Sequence, residues 1–447
     1  MGGLLERLDR TPDTPARDGR GGDREDVMES ILRRVQNRIL ADCAELVMGA
    51  RGNPQKRRQL RSVILQTVAR DGLGLPGMSR ESLADTLVQE IAGFGPIDPF
   101  IADQRVSEIM VNGAGQVYVE RSGVLELTGV TFKDDEHLLE VIGRIVAPLG
   151  RRLDRASPYV DARLPDGSRV NAIIPPLSLK GPVLTVRKFP GRVVTLPDLV
   201  ELQTLTPEMA SFLKSCVQAR LNIVISGGTG SGKTTTLGAL CSAASPCDRI
   251  ITIEDAAELR IDLPHVIALE SRPPNIEGKG SVSIRNLLRN ALRMRPDRII
   301  IGEVRGPEAY DLLQALNTGH MGSMSTVHAN SVTDAVRRLE NMVLSSGESI
   351  PHEVVSEELR SAVDLLIHQE RIPTGPRKVT DVSLVVRSGG RSGKHPVCRV
   401  FGWEPEAVCG VAGGRFIRHT TARVPEVTEK FRLCGMSIED WLGGGDL

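Results

Sequence analysis

The sequence predicts an α/β fold in which helices cover a mostly parallel sheet. Two observations carry this prediction. A glycine-rich loop at 226–232 joins the largely apolar run 221–225 to a helical segment that starts at Lys233. Short apolar strands then alternate with helical segments as far as about Arg371, a pattern typical of parallel sheets with helices on both faces. The predicted strands are 223–225, 249–253, 266–269, 298–301 and 324–327.

Shifts in composition divide the 447-residue chain into six segments. The first is rich in Gly, Arg and Asp and lacks an apolar core, which is typical of a disordered tail and not of a signal peptide. A Gly-Phe-Gly-Pro cluster at 93–96 ends the helical periodicity before it. The predicted segments are a disordered tail at 1–25, a helical region at 26–92, a smaller α+β domain at 93–190, a linker at 191–203, the α/β domain at 204–371 and a C-terminal extension at 372–447.

The segments before and after the α/β domain have their own predicted elements. Apolar residues at helical spacing flank a Gly-Asn-Pro break near 51–54, and Asp166-Gly167 is a typical hairpin turn between strand-like flanks. The predicted helices are 27–47, 57–70, 80–92, 136–149 and 431–442, and the predicted strands are 107–113, 116–120, the two flanks within 162–170, and 183–188.

Composition describes an ordinary water-soluble protein of two or three domains. Apolar residues make up 40% of the chain and charged residues 25%, and no run approaches eighteen apolar residues, so no transmembrane helix is expected. The 56 acidic and 56 basic residues give a net charge of zero. This balance argues against a nucleic-acid-binding protein with a wholly basic surface, although a local basic patch remains compatible with it.

The segment Gly227–Thr234 matches the phosphate-loop pattern G-x-x-x-x-G-K-[ST] at every required position. Glycines let backbone N–H groups converge on phosphate oxygens, and the following helix directs its positive end at the same anion. Lys233 is predicted to reach the β- and γ-phosphates of ATP, and the Thr234 hydroxyl to hold Mg²⁺. The alternative is a glycine-rich turn without a ligand. The predicted phosphate-binding residues are Gly227, Gly228, Thr229, Gly230, Ser231, Gly232, Lys233, Thr234 and Thr235.

Two further strands end in carboxylates. The strand at 249–253 is followed by Glu254 and Asp255, and the strand at 298–301 is followed by Glu303. Ligands of open α/β sheets lie at the carboxyl ends of strands, so these acids are predicted to face Mg²⁺ or the attacking water. Glu303 is the first candidate for Mg²⁺ coordination and water activation, Glu254 is the second candidate for the base, and Asp255 is a candidate metal ligand. The alternatives are solvated acids or an incidental strand glutamate.

Two histidines, His320 and His328, lie eight residues apart across a glycine turn and a short strand. No acid or cysteine completes a metal site at this spacing. At the end of a strand, His328 is predicted to sense the γ-phosphate or to position a carboxylate, and His320 is a candidate for the same role. Ordinary loop histidines are the alternative.

In this order, the segments GGTGSGKTT, ITIEDAAEL, RMRPDRIIIGEVRG and TGHMGSMSTVHAN resemble the Walker A, Asp box, Walker B and His box of the type II/type IV secretion ATPase superfamily. Upstream, GFGPIDPFIADQRVSEIMVNG and DARLPDGSRVNAIIPPLSLKGPVLTVRKF resemble the N-terminal domain of its CpaF/TadA-type branch, which powers tight-adherence (Flp) pilus assembly. The resemblance covers about 93–364. It implies a RecA-like ATPase domain preceded by a PAS-like α+β domain and an N-terminal helical extension.

The resemblance also implies partners and further site residues. Its members are cytoplasmic homohexamers that act on a platform protein of the inner membrane, so membrane association is expected only through partners and stable nucleic-acid binding is not expected. Arginines of their N-terminal domain contact the nucleotide, and by position Arg163, Arg169 and Arg187 are the candidates here. Weaker candidates at subunit contacts are Arg293, Arg295 and Arg305. Met321 departs from the usual His box, and no tetracysteine zinc motif is present.

The leading hypothesis is therefore a hexameric, Mg²⁺-dependent ATPase motor of a type II/IV secretion or Flp/Tad pilus machine. One alternative is a conjugative or other RecA-like nucleic-acid translocase, which predicts a basic channel and stimulation by single strands. The other is a nucleotide-dependent assembly protein that does not hydrolyse ATP. That reading is disfavoured because Glu254, Asp255 and Glu303 are all present.

Overall fold

The computed structural model describes residues 22–50, 54–72, 78–121, 123–164, 166–189, 193–272, 279–348, 350–372, 376–387, 397–408, 411–419 and 424–442. The chain divides into two compact units, Met1–Lys188 and Phe189–Leu447. Most of the predicted tail, 1–21, lies outside the described residues. Residues 22–25 were predicted to belong to this tail, but they form the first turn of a helix.

Unit 1 begins with three helices, the first before and the other two after the break predicted near 51–54. Their apolar stripes meet in one core, in which Val35, Leu60 and Leu87 are buried. The third helix begins where the Ser79 hydroxyl accepts a hydrogen bond from the N–H of Ser82, an N-cap that satisfies one of the free donors of the first turn. The helices are α1 (Gly22–Ala50), α2 (Pro54–Arg70) and α3 (Arg80–Ala92).

A six-stranded antiparallel sheet forms the rest of unit 1, in the order β3-β2-β1-β6-β5-β4. One amphipathic helix, α5, packs Leu138, Val141 and Ile142 against it. The α+β character predicted for this region is confirmed, and its likeness to a PAS fold stays a prediction. The elements are α4 (Asp98–Ala102), β1 (Val106–Asn112), β2 (Val117–Arg121), β3 (Val124–Leu127), α5 (Asp135–Val146), β4 (Tyr159–Arg163), β5 (Arg169–Ile173) and β6 (Val183–Arg187).

Unit 2 is built on a nine-stranded sheet in the order β15-β14-β13-β12-β7-β11-β10-β8-β9. The six strands from β12 to β9 run parallel, and the other three pair antiparallel. A mostly parallel sheet is thereby confirmed. The strands are β7 (Ile223–Gly227), β8 (Ile250–Glu254), β9 (Val266–Glu270), β10 (Arg298–Val304), β11 (Met324–His328), β12 (Leu365–Arg371), β13 (Arg377–Val385), β14 (Val397–Val408) and β15 (Val411–Arg418).

Two separate apolar cores show that helices cover both faces of this sheet. One core contains Phe212, Leu240 and Phe431, from three helices. The other contains Leu312 and Leu359. The helices are α6 (Leu196–Glu201), α7 (Pro207–Gln218), α8 (Lys233–Cys241), α9 (Ile284–Ala291), α10 (Glu308–Asn317), α11 (Val332–Leu344), α12 (His352–Ala362), α13 (Pro425–Leu433) and α14 (Glu439–Leu442).

Two predictions about segment ends were wrong. The predicted linker 191–203 contains α6, because Thr195 and Asp198 form a capping box and Leu196 and Leu199 are buried in the core. The region predicted as a C-terminal extension, 372–447, contributes β13–β15, which continue the sheet. The last helix was predicted at 431–442, but a turn at Gly435, which has a positive φ of 70°, separates α13 from α14.

Within the described ranges, no helix combines the length and apolar character needed to cross a membrane.

Candidate functional site

The glycine-rich loop leaves the carboxyl end of β7 and enters α8 at Lys233. Gly227 is required by close packing, because a Cβ there would lie 2.2 Å from the carbonyl oxygen of Gln369. Gly230 and Gly232 have positive φ values of 71° and 97°, a region that favours glycine. The Lys233 Nζ lies in the loop and donates to the carbonyls of Gly227 and Gly228, each at 2.9 Å. The nine predicted phosphate-binding residues therefore form one continuous strand–loop–helix turn.

The Lys233 ammonium lies in a partly desolvated place beside the loop. Burial lowers its pKa below the ordinary value, while the negative charge of Glu303 acts in the opposite direction. A cation that has lost part of its hydration interacts more strongly with an anion than one in bulk water. The positive charge of Lys233 thus lies beside the N-terminus of α8, which is itself the positive end of the helix dipole.

Glu303 lies near the carboxyl end of β10, on the same edge of the sheet as the loop. Its Oε2 is 2.6 Å from Nη2 of Arg305, and Nη1 of the same arginine is 3.7 Å from Oδ2 of Asp255. Arg305 therefore joins two carboxylates predicted to hold Mg²⁺. These bonds raise the pKa of the Arg305 guanidinium, and its contact with Glu303 is the largest cause.

Glu254 ends β8, the neighbour of β10, but its carboxylate faces inward. The side chain is buried, and Oε1 accepts hydrogen bonds from the backbone N–H groups of Glu258 and Leu259 at 3.0 and 3.1 Å. Burial raises the pKa of Glu254 from 4.5 to about 7, although these two hydrogen bonds act to lower it. Gly302 of β10 makes room for the side chain, because a Cβ there would lie 2.8 Å from Cγ of Glu254.

The structure separates the two candidate histidines. His328 ends β11 and is paired in register with Gly227, so it lies beside the first residue of the loop. His320 precedes β11 and lies at the amino ends of the parallel strands, where its Nδ1 is 3.3 Å from the carbonyl oxygen of Ala315. The suggestion that His320 shares the role of His328 is therefore wrong, because the length of β11 separates the two.

Three residues that the sequence did not single out contact the loop from β12 and β13. His368 Nδ1 is 2.8 Å from the Ser226 hydroxyl oxygen, the Gln369 amide oxygen accepts from the Thr236 hydroxyl at 2.7 Å, and Arg377 Nε donates to the Gly230 carbonyl at 2.9 Å. The available signal was the polar pair His368-Gln369 directly after the apolar run 365–367. A buried polar residue in a strand needs a partner, and here the partners are Ser226 at the start of the loop and Thr236 in α8.

In unit 1, the three candidate arginines form one row across adjacent antiparallel strands. Arg163 of β4 is paired with Arg169 of β5, and Arg169 is paired with Arg187 of β6. Directly opposite residues share a face of the sheet, and like charges in such pairs are destabilising. The pairing therefore places three arginines side by side on one face of the sheet. Glu108 of β1 continues the row beyond Arg187.

The side chains near the loop suit Mg²⁺ bound together with phosphate groups. Thr234, Glu303 and Asp255 offer a hydroxyl and carboxylate oxygens, and the guanidinium between the two acids shows that a cation fits there. In the part of the chain that the structure describes, no group of three or more His, Cys, Asp or Glu residues could by itself hold a metal ion. Mg²⁺ in phosphate sites is usually held by one or two carboxylates, water and substrate phosphates.

The parallel sheet, the glycine-rich loop at the end of its central strand and the acids on neighbouring strands are together typical of P-loop nucleotide-binding proteins. Residues 90–390 match the family model described as "Type II/IV secretion system protein". The chain belongs to this family.

Several curated proteins are similar to the chain over most of their own length. A putative conjugal transfer protein of Mycobacterium tuberculosis is 36% identical over 311 residues, which are 68% of this chain and 88% of that protein. The type IV secretion system protein VirB11 of Brucella suis is 33% identical over 300 residues, 61% of this chain and 83% of that protein. Among solved structures, the Brucella suis VirB11 ATPase in complex with sulphate is 30% identical, covering 65% of this chain and 92% of that one, with a TM-score of 0.36.

Proposed function

We propose that this protein is a Mg²⁺-dependent ATPase that acts as the motor of a type II/IV secretion-type machine. The observation that carries the proposal is the meeting, at one edge of a parallel sheet, of the loop bearing Lys233 with the carboxylate of Glu303. The family to which the chain belongs supports it.

The loop and its lysine hold the phosphates. Backbone N–H groups of 228–234 and the N-terminus of α8 face the anion, and Lys233 exchanges its two carbonyl contacts for phosphate oxygens. Thr234, Glu303 and Asp255 are the residues that would hold Mg²⁺. The ion, when bound, neutralises charge on the phosphate oxygens.

Glu303 is assigned to orient the attacking water and take its proton. It is partly exposed at the strand end, whereas the oxygens of Glu254 accept backbone hydrogen bonds. A pKa of about 7 suits a general base, so Glu254 remains the second candidate. His328, next to Gly227, is assigned to sense the γ-phosphate.

The row of Arg163, Arg169 and Arg187 is assigned to stabilise the charge that develops during phosphoryl transfer. Guanidinium groups suit this task because they are always charged and offer paired donors to phosphate oxygens. We expect Arg169→Ala to lower turnover while ADP binding to the loop is kept. Unchanged turnover in this variant and in Arg187→Ala would contradict the assignment of these arginines to catalysis.

Turnover of purified protein tests the proposal. Lys233→Ala is expected to lose nucleotide binding, whereas Glu303→Gln is expected to bind ATP and to lose roughly 10²- to 10⁴-fold in rate, as general-base variants do. Lys214→Ala, on the exposed side of α7, is the matched control for removal of one lysine. Wild-type rates in Lys233→Ala or Glu303→Gln would contradict the assignment.

For the machine itself, we propose Flp/Tad pilus assembly, on the strength of the CpaF/TadA-like segments between 93 and 189. A cytoplasmic homohexamer that reaches the membrane through a platform protein is part of this proposal. Light scattering with ATP analogues tests it, because a sixfold multiple of the 48.4 kDa chain is expected. A monomer under all nucleotide conditions would contradict it.

A second candidate is a motor for conjugal DNA transfer. It is favoured by the names of two relatives, the mycobacterial protein and the conjugal transfer protein TrbB of Rhizobium radiobacter, which is 37% identical over 286 residues. If the motor contacts DNA directly, single-stranded DNA should stimulate its ATPase activity, and rising salt should abolish the stimulation. The zero net charge of the chain favours the absence of such an effect.

A further inference from the structure

We infer that His368, Gln369 and Arg377, here called the loop brace, hold the phosphate loop in its anion-binding shape, and that Arg377 is a positioning residue for nucleotide binding. This inference rests on the proposed function and concerns the same site. The brace comes from β12 and β13, in a region with none of the four motifs that define the site in the sequence.

The first contact of the brace is at the entry of the loop. β12 pairs in parallel with β7, so that His368 is opposite Ser226 and Gln369 is opposite Gly227. The Ser226 hydroxyl donates to the Ile367 carbonyl at 3.1 Å and meets His368 Nδ1 at 2.8 Å. Ser226 and His368 are both buried, and His368 Nε2 is held in turn by Glu370 at 3.0 Å. The entry is thus fixed by backbone pairing and side-chain hydrogen bonds together.

The second contact is at the exit of the loop. Gln369 is buried, and its amide oxygen accepts from the Thr236 hydroxyl in the first turn of α8. Its amide nitrogen lies 2.9 Å from the place where a Cβ on Gly232 would be. One side chain therefore packs against the last glycine of the loop and is bonded to the helix that follows it.

The third contact is at the tip, and it has a direct consequence for anion binding. Arg377 Nε donates to the Gly230 carbonyl at 2.9 Å. The peptide group between Gly230 and Ser231 is planar and trans, so its N–H points opposite to this carbonyl. The N–H of Ser231 points toward the Gly228 carbonyl oxygen, with which it makes a long hydrogen bond of 3.4 Å. By holding the carbonyl, Arg377 keeps this N–H directed into the loop, where a phosphate oxygen would accept it.

Binding of ADP labelled with a fluorescent group tests the role of Arg377 in the full-length protein. Arg377→Gln is expected to weaken binding about tenfold to a hundredfold, the range for loss of one hydrogen bond made by a charged donor. Arg377→Lys keeps the charge but not the planar donor, so its affinity for ADP is expected to lie between those of the wild type and Arg377→Gln. The matched control is Lys378→Gln, because Lys378 is the next residue of β13 and its Nζ donates to the Gln203 carbonyl instead.

Thermal unfolding with and without ADP separates positioning from loss of structure. Arg377→Gln is expected to melt near the wild-type temperature without ADP and to gain less from added ADP. Wild-type affinity in Arg377→Gln, or equal losses in Arg377→Gln and Lys378→Gln, would overturn the inference. If Arg377→Gln fails to fold, Arg377→Lys decides the matter, and wild-type affinity there would also count against it. Failure of the wild-type protein to bind ADP would instead contradict the proposed function.

Discussion

The buried carboxyl of Glu254 makes the stability of unit 2 depend on pH, and Glu254→Gln should remove that dependence. The glutamine oxygen can still accept the hydrogen bonds from the N–H groups of Glu258 and Leu259. The variant therefore differs from the wild type chiefly in having no ionisable group among the buried residues near Gly302.

The magnitude follows from the shift of the pKa of Glu254 from 4.5 to about 7, caused mainly by burial. Each pKa unit corresponds to about 1.36 kcal/mol, so the difference corresponds to about 3 kcal/mol. The sign follows from proton binding. Between pH 4.5 and 7 the folded chain keeps a proton that the unfolded chain has lost. The free energy of unfolding of the wild type therefore falls as the pH rises through this window.

Urea denaturation between pH 5 and 8 measures the effect. Both tryptophans, Trp403 and Trp441, are in unit 2, so their fluorescence follows the unit that contains Glu254. The stability of Glu254→Gln relative to the wild type should increase by about 2.5 kcal/mol from pH 5 to pH 8, because a small part of the effect is already present at pH 5. Glu357→Gln controls for removal of an exposed carboxyl. A constant difference between Glu254→Gln and the wild type across the range would refute the reasoning.

Three further predictions concern the loop, the sheet and the acids. Gly227→Ala should abolish nucleotide binding, because its Cβ would lie 2.2 Å from the carbonyl oxygen of Gln369 on the neighbouring strand. Gly228→Ala should still bind the nucleotide, because its Cβ would have no neighbour within 4 Å, and a fluorescence titration compares the two variants. Asp248→Asn should cost about 3–5 kcal/mol in urea denaturation, since it leaves the buried Arg298 guanidinium, 2.6 Å away, without its anion; a cost under about 1 kcal/mol would speak against this. Arg305→Ala should lower the Mg²⁺ concentration needed for half-maximal turnover, because the guanidinium competes for the same carboxylates; a higher requirement would mean that it aids metal binding.

Five of the six parallel strands could be predicted from the sequence, and four of these five are short runs rich in Ile and Val. The structure has all five within a few residues of the predicted bounds, including β7 and β10. The carboxyl-edge positions of Glu303 and His328 followed from the same pattern, because parallel strands end at a common edge. The chemical roles assigned to these residues remain predictions.

The contribution of β12 and β13 could not be predicted in the same way. Ser226 and His368 are 142 residues apart, and they meet only because β12 is inserted beside β7. The local sequence around His368 does not identify the strand with which β12 pairs. The inward direction of the Glu254 carboxylate was equally hidden, since it depends on the absence of a side chain at Gly302 on the neighbouring strand.

The position of β7 has a mechanical consequence. It is the fifth of nine strands, and without β13–β15 it would be second from an edge. A strand in the middle of a sheet should exchange its amide hydrogens last, because its hydrogen bonds open only when much of the unit opens. The loop that grows from it is thus fixed to the stiffest part of unit 2. A force that acts on the loop would then deform the less stable parts of unit 2 before it displaces β7.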